Sequence, residues 1–284
     1  MSMKRILVLA AAALLSLAAH AQGTVTTRSY KLADFTDKVT QVVLTGNEVL
    51  DASLRQEAVN RWTVSAFELC TAAEFETLKT SPDYYFLLAA ESRFKGEENP
   101  GIVFLTLVKG GPEAKEGIAA MHEVISLPLA AAGNGSGREY LYLGALIKAI
   151  QEFTLAAMES EKVAYSMENW FNARYARTSK MKTIYLSRDD ISEKVDQKDL
   201  DKYLDKDCHV CEEDEADEQF AQGTYQAVVG YVVAPEQAEK GSYSYQLLFE
   251  ADTHELCYLH RHKITPRLGA GFCLDDLKRI AQGR

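Results

Sequence analysis

Tyr84-Tyr85-Phe86-Leu87-Leu88-Ala89-Ala90, then the polar turn Lys95-Gly96-Glu97-Glu98-Asn99-Pro100-Gly101, then Ile102-Val103-Phe104-Leu105-Thr106-Leu107-Val108 read in order as strand, turn and strand. Two apolar runs of strand length, rich in aromatic and β-branched side chains and separated by Gly and Pro, are the signature of a β-hairpin. The arrangement returns at 225–233 and 243–250. A shift of 141 residues, the distance from Cys70 to Cys211, carries Tyr84 to Tyr225, Phe86-Leu87-Leu88 to Ala227-Val228-Val229 and Leu107-Val108 to Leu248-Phe249. Upstream it sets Val43-Leu44 on Ile184-Tyr185, Gln56 on Gln197, Val59 on Leu200, Trp62 on Tyr203 and Glu74 on Glu215. Downstream, a shift of 138 pairs Met121-His122 with Leu259-His260 and Pro128 with Pro266. Self-similarity over so long a period reads as an internal duplication.

Each copy resolves into the same elements. Short β-branched runs at 39–45 and 183–187 predict a first strand, and apolar residues at helical spacing (Leu54, Ala58, Val59, Trp62; Val195, Leu200, Tyr203, Leu204) predict a helix after it. A short strand, a second helix at 72–79 or 212–220, the hairpin, a fifth strand at 118–127 or 256–265 and a closing helix complete the unit. The class is α/β, as two tandem β-α-β-α-β-β-β-α units with mixed sheets, and helices are expected over one face of each. Residues 145–179 contain neither Gly nor Pro and keep a three-four apolar spacing. They predict one long helix, or two stacked pieces bent near Glu159-Ser160-Glu161-Lys162, joining the copies. The expected division is a leader at 1–21, a first repeat with its closing helix at 22–158, a helical connector at 159–179 and a second repeat at 180–284.

The strand ending Val42-Val43-Leu44, the stretch Val64-Ser65-Ala66-Phe67-Glu68-Leu69 and the hairpin opening Asp83-Tyr84-Tyr85-Phe86-Leu87-Leu88 together resemble a group of bacterial envelope modules. These are the α/β domains of the curli-secretion lipoprotein type and the amino-terminal domain of the periplasmic Tol translocation protein. The resemblance implies an assembly or protein-binding role rather than catalysis. The sequence departs from both groups in lacking a lipidation cysteine, a recognisable pore-forming insertion and propeller repeats.

Lys4 and Arg5, the apolar run 6–19 and Ala19-His20-Ala21 before Gln22 have the charged, apolar and small-x-small parts of a secretory leader. The apolar run is shorter than the ~20 residues a spanning helix needs, and the first cysteine, Cys70, is far from the cleavage point, so neither a transmembrane nor a lipid anchor is expected. The expected location is periplasmic or secreted. A net charge of −10 and a pI near 5.2 argue against nucleic acid as a partner, since binding there needs a basic footprint. An envelope protein or a small ligand is the expected partner. Five cysteines are too few, and odd in number, for a closed disulfide scaffold.

Cys208-His209-Val210-Cys211 has redox or metal spacing, and an acidic helix following Cys211 would set it at a helix N-terminus. Asp205, Asp207, Glu212, Glu213 and Asp214 disfavour a thiolate there, and the repeat sets Cys208 on Phe67 and Cys211 on Cys70, both core-like positions. A zinc set would combine Cys208 and Cys211 with two of Cys257, His260 and His262; on a strand His260 and His262 share a face and Cys257 takes the other. These four, Cys208, Cys211, His260 and His262, are the metal candidates, with a thiol- or zinc-dependent enzyme as the alternative to a binding module. The acidic run 212–218 reads as a solvated helix start rather than a calcium loop. His122 and His260 read as equivalent structural histidines, and Gly133-Asn134-Gly135-Ser136-Gly137 as a flexible loop before a helix. No phosphate loop, nucleophile elbow or zinc-protease helix occurs, no catalytic residue is assigned, and no cofactor or stoichiometric metal is expected. Intact mass of the chain exported by a bacterial host should correspond to a product beginning at Gln22; a soluble product retaining residues 1–21 would refute the leader.

Overall fold

The computed structural model describes residues 32–133, 135–178 and 181–283, together with the backbone of Ser16–Leu17, which runs parallel to Glu91 and Ser92. The leader at 1–21 otherwise lies outside the described residues, as does Asn134 of the glycine-rich loop. The first unit holds β1 (Val39–Val43), α1 (Glu48–Arg61), β2 (Ala66–Cys70), α2 (Ala72–Leu78), β3 (Tyr84–Ser92), β4 (Ile102–Lys109), β5 (His122–Ala131) and α3 (Arg138–Glu159). After the short α4 (Glu161–Ala164) and α5 (Met167–Thr178), the second unit holds β6 (Thr183–Ser187), α6 (Gln197–Tyr203), β7 (Cys208–Cys211), α7 (Glu213–Ala221), β8 (Ala227–Val233), β9 (Tyr243–Glu250), β10 (Leu256–Lys263) and α8 (Leu274–Gln282). The helical connector breaks at Ser160, where the sequence pattern allowed a bend.

Local chemistry starts the first two helices where the chain leaves a strand. The Asn47 side chain accepts from the Val49 and Leu50 amides, and Asp51 reaches back to the Thr45 and Gly46 amides, closing the turn into α1. Thr71 and Glu74 form a capping box on α2.

The two sheets share one topology. The first runs β2-β1-β3-β4-β5 and the second β7-β6-β8-β9-β10. In each, the first strand lies parallel to its two neighbours and the last three strands form an antiparallel meander. The repeat is therefore a repeat of architecture, but its register differs from a constant shift. Val43 sits opposite Cys70 and Ser187 opposite Cys211, so Val43 corresponds to Ser187 and not to Ile184. Leu105 faces Leu127 while its counterpart Gln246 faces His260, so His260 corresponds to Leu127; His122 is not its equivalent. Unequal connections cause the slippage: residues 44–65 against 188–207 between the first two strands, and 110–121 against 251–255 before the last.

Helices cover both faces of each sheet, not one. In the first, Val42, Tyr85 and Leu87 pack with α1 and α3, while Val43, Phe86 and Leu88 pack with Phe75 of α2 on the other side. Parallel βαβ crossovers place helices on either face, and the antiparallel half of the sheet does not undo this. The second sheet repeats the plan: Leu200 of α6 and Leu277 and Ile280 of α8 cover one face, and Ala216 and Phe220 of α7 the other.

The units stack front to back through α3. One continuous core joins Leu143, Leu146 and Ile150 of α3 to β4 and β5 on one side and to Phe220, Tyr231 and Phe249 of the second unit on the other. Tyr142 stacks on Tyr231 at 4.3 Å between ring centroids and on Phe220 at 4.5 Å, and Phe104 meets Tyr245 edge to face at 5.4 Å. Gly144 has no side chain where α1 crosses α3; a Cβ there would overlap the Glu57 carboxylate. The hairpin turns also meet: Gly96 and Gly241, both at positive φ, allow each turn to approach the carbonyl of Lys240 or Lys95 of the other, and Ser242 Oγ donates to Glu97 Oε1 at 2.6 Å.

At the head of α3, Arg138 is buried between the units. Its guanidinium donates to Asp190 at 3.1 Å and to both oxygens of Asp217 at 2.9 Å, with Glu213 at 3.2 Å. It lies over the rings of Tyr142 and Tyr231, and the Tyr142 hydroxyl donates to Asp217 at 2.7 Å. Two of the six carboxylates in the acidic run 212–218, Glu213 and Asp217, thus hold this cation. One cation among three carboxylates leaves the pocket short of positive charge. Burial pushes the Asp190 carboxyl up to about 7 against the pull of Arg138, and Glu213 and Asp217 push the same way. A folded-state value above the unfolded ~3.9 means that the native protein holds an extra proton between pH ~4 and 7, so this group's contribution falls as pH rises through that window, by at most about 1.4 kcal/mol per pH unit. Chemical denaturation of Asp190→Asn from pH 4 to 8 should show a shallower decline than wild type. Arg138→Met, which leaves the carboxylates buried without their cation, should lose about 3–5 kcal/mol at pH 7; equal pH slopes in wild type and Asp190→Asn would refute the account.

Candidate functional site

The second sheet separates the sequence's four metal candidates. Cys208 and Cys211 lie on β7 at one edge, and His260 and His262 on β10 at the opposite edge. Four interstrand steps of ~4.8 Å put them ~19 Å apart, so a Cys2His2 set does not assemble. Within the pair, Cys208 packs against the α6–α8 face and Cys211 enters the core on the α7 face, as two residues three apart on a strand must. The helix that follows does not activate Cys211. Burial, then Glu215 and Glu212, pushes its thiol up to about 11, and burial, then Glu74 and Glu68, does the same to Cys70 at the matching place in the first unit. No disulfide joins any of the five cysteines, all of which lie among the described residues. Cys257 is displaced by the β-bulge at Leu248/Phe249 into the same core as Tyr258 rather than the opposite face.

His260 and His262 acquire a different companion. Alternation on β10 turns Tyr258, His260 and His262 toward the start of α8, where Asp276 stands fully buried. Asp276 is held there because it caps its own helix, accepting the Cys273 amide on Oδ2 at 2.9 Å. Its Oδ1 accepts the Tyr258 hydroxyl at 2.9 Å and lies 2.7 Å from His260 Nδ1. His262 Nδ1 lies 3.9 Å from Oδ2, and His262 Nε2 lies 3.0 Å from the Gly269 carbonyl oxygen. Burial raises the Asp276 carboxyl, but hydrogen bonding and charge from His260, followed by Cys273, hold it below the usual carboxylate range. The aspartate escaped sequence reading because Cys273-x-x-Asp276 looks like a helix start, and nothing local places that start beside β10.

Beside β10 a cleft of about 410 Å³ opens between the units. Ser126 and Pro128 of β5, residues 165–169 of the connector, Tyr245, His260 and Arg261 of β9 and β10, and Arg279 of α8 line it. Arg261 donates to the Tyr245 hydroxyl at 3.4 Å and lies over the Tyr243 ring. Glu123, close to Ser126 and Arg261, has its carboxyl pushed up to about 7 by burial, against the opposing pull of Ser126 and Arg261.

The other sequence candidates have local structural partners. His122 stands 3.9 Å from Glu113. In the loop before α3, the Gly137 amide donates to Glu139 Oε2 at 2.8 Å, so the anion at that helix start is the chain's own carboxylate. No family model, curated protein or solved structure matches this chain.

The raised thiols of Cys70, Cys211 and Cys273 and the deep burial of Cys257 make a direct expectation. An aromatic disulfide reagent at pH 7.5 should label these four in the native protein only as fast as the fold opens, and all five thiols at once in guanidinium. Rapid native labelling of Cys211 with an apparent pKa below 7 would restore the redox reading.

Proposed function

We propose that this chain is an exported binding module of the bacterial envelope with no chemistry of its own, and that it holds a small molecule bearing both a carboxylate and an ammonium group in the cleft between its units. The observation that carries this reading is the composition of the cleft wall. Both units and the connector contribute to it, and within a chain of net charge −10 it gathers two guanidiniums, Arg261 and Arg279, beside a single lining carboxylate, Glu168. Clefts between packed units with a few convergent polar groups are the usual setting for small ligands. The leader at 1–21 and the resemblance to envelope modules support the compartment. Among the described residues, α3 is the one helix long and apolar enough to cross a membrane, and two thirds of its apolar window is buried in the core.

Calorimetric titration with free amino acids, matched simple carboxylates and matched alkylamines tests the reading. Amino acids should bind better than either half-ligand, and Arg261→Gln should weaken them by about 10–100-fold, the size of one charge-assisted hydrogen bond of ~1.5–3 kcal/mol, with thermal unfolding unchanged. Equal affinity in the variant, or no binding at millimolar concentration, would overturn it.

A further inference from the structure

We propose that His260, His262 and Asp276 form a binding site for a divalent transition-metal ion, zinc by preference. The site shares His260 with the cleft wall but does not rest on the ligand reading of the cleft, and it contradicts the expectation from sequence that the chain takes no metal.

The inference rests on where protons can sit. The Gly269 carbonyl oxygen can only accept, so His262 Nε2, 3.0 Å away, carries the hydrogen. The neutral ring then presents a bare lone pair at Nδ1. That atom is buried, has no hydrogen-bond partner, and lies 3.9 Å from Asp276 Oδ2. Two electron-pair donors therefore face each other out of water, an arrangement that costs free energy unless a cation stands between them. His260 Nδ1 adds a third donor on the same carboxylate, and the three donor atoms lie within 4.8 Å of one another.

The dimensions suit a metal. Bonds of ~2.0–2.1 Å in a tetrahedron set donor atoms about 3.3 Å apart, and the observed 2.7 and 3.9 Å straddle that value. The surroundings also match what metal ligands require. The Gly269 carbonyl fixes the His262 tautomer, and Tyr258 and the Cys273 amide orient the carboxylate. Two imidazoles and one carboxylate favour a first-row divalent ion over calcium or magnesium, and three protein donors leave a coordination position for water or an external donor.

Full-length mature protein, stripped with chelator, should bind one zinc per chain at micromolar or lower Kd in competition with a chromophoric chelator. Cobalt(II) should give the visible d–d bands of a tetrahedral N/O site without a thiolate charge-transfer band. His262→Ala and His260→Ala should each weaken zinc by at least ~100-fold, and Tyr258→Phe by about 10-fold. Asp276→Asn risks unfolding α8; the two histidine variants, with circular dichroism as the control, keep the test valid. Cys208→Ser/Cys211→Ser should leave metal binding unchanged. A His262 that is simply protonated predicts the opposite: no cobalt bands, millimolar zinc and no effect of the histidine variants, and that outcome would overturn the site. Because the probe is the metal alone, the result is independent of whether amino acids bind the cleft.

Discussion

A helix that is apolar nearly all round must be covered nearly all round, and α3 meets this requirement only because two sheets share it. The first unit covers one stripe with β4, β5 and α1. The remaining surface, with Tyr142 at its centre, is closed by Tyr231, Phe220 and Phe249 of the second unit. Arg138, at the head of the same helix, fixes the approach by placing a buried charge that only carboxylates of the second unit satisfy. Neither unit can be removed without exposing the other's core. The second closing helix is of another kind: α8 is a nine-residue amphipathic helix that turns Leu277 and Ile280 inward and Lys278 outward.

Much of this order was legible in the sequence. Hairpins, helices and the break at Ser160 follow from periodicity and breakers, which are local properties. The register was not legible, because unequal connections add residues that no constant shift absorbs. The error matters most in the first strand. Matching Val43 to Ile184 instead of Ser187 is a slip by an odd number of residues, which in a strand exchanges the two faces. Coverage of both faces was also missed, since a helix's own pattern shows that one stripe is buried but not which side of a sheet receives it.

The site follows the same division. That His260 and His262 share a face is a consequence of the strand's period of two and was readable. That Asp276 completes their cluster is a tertiary fact about where α8 begins. Cys208-x-x-Cys211 has the more conspicuous motif and the weaker geometry, because on a strand this spacing splits the thiols between faces and the edge position keeps them from the histidines. The acidic residues of α7 were read as a solvated helix start. Two of them, Glu213 and Asp217, instead hold the buried Arg138 at the seam.

The edge at β10 bears on how the chain can recognise a partner. An edge strand offers unpaired amides and carbonyls to any extended chain, and proteins cover such edges or pair them. Here α5 lies along β10, with Asn172 Oδ1 accepting the Leu259 amide at 2.8 Å and the Tyr175 ring against Tyr258. Strand addition is therefore blocked at that edge, and what β10 still presents is side chains: Arg261 toward the cleft, His260 toward both the cleft and Asp276. Recognition there has to work through charge and donor geometry rather than backbone pairing. That favours a small polar ligand or a metal ion over an extended peptide, and because one imidazole belongs to both places, occupancy of either alters the electrostatics of the other.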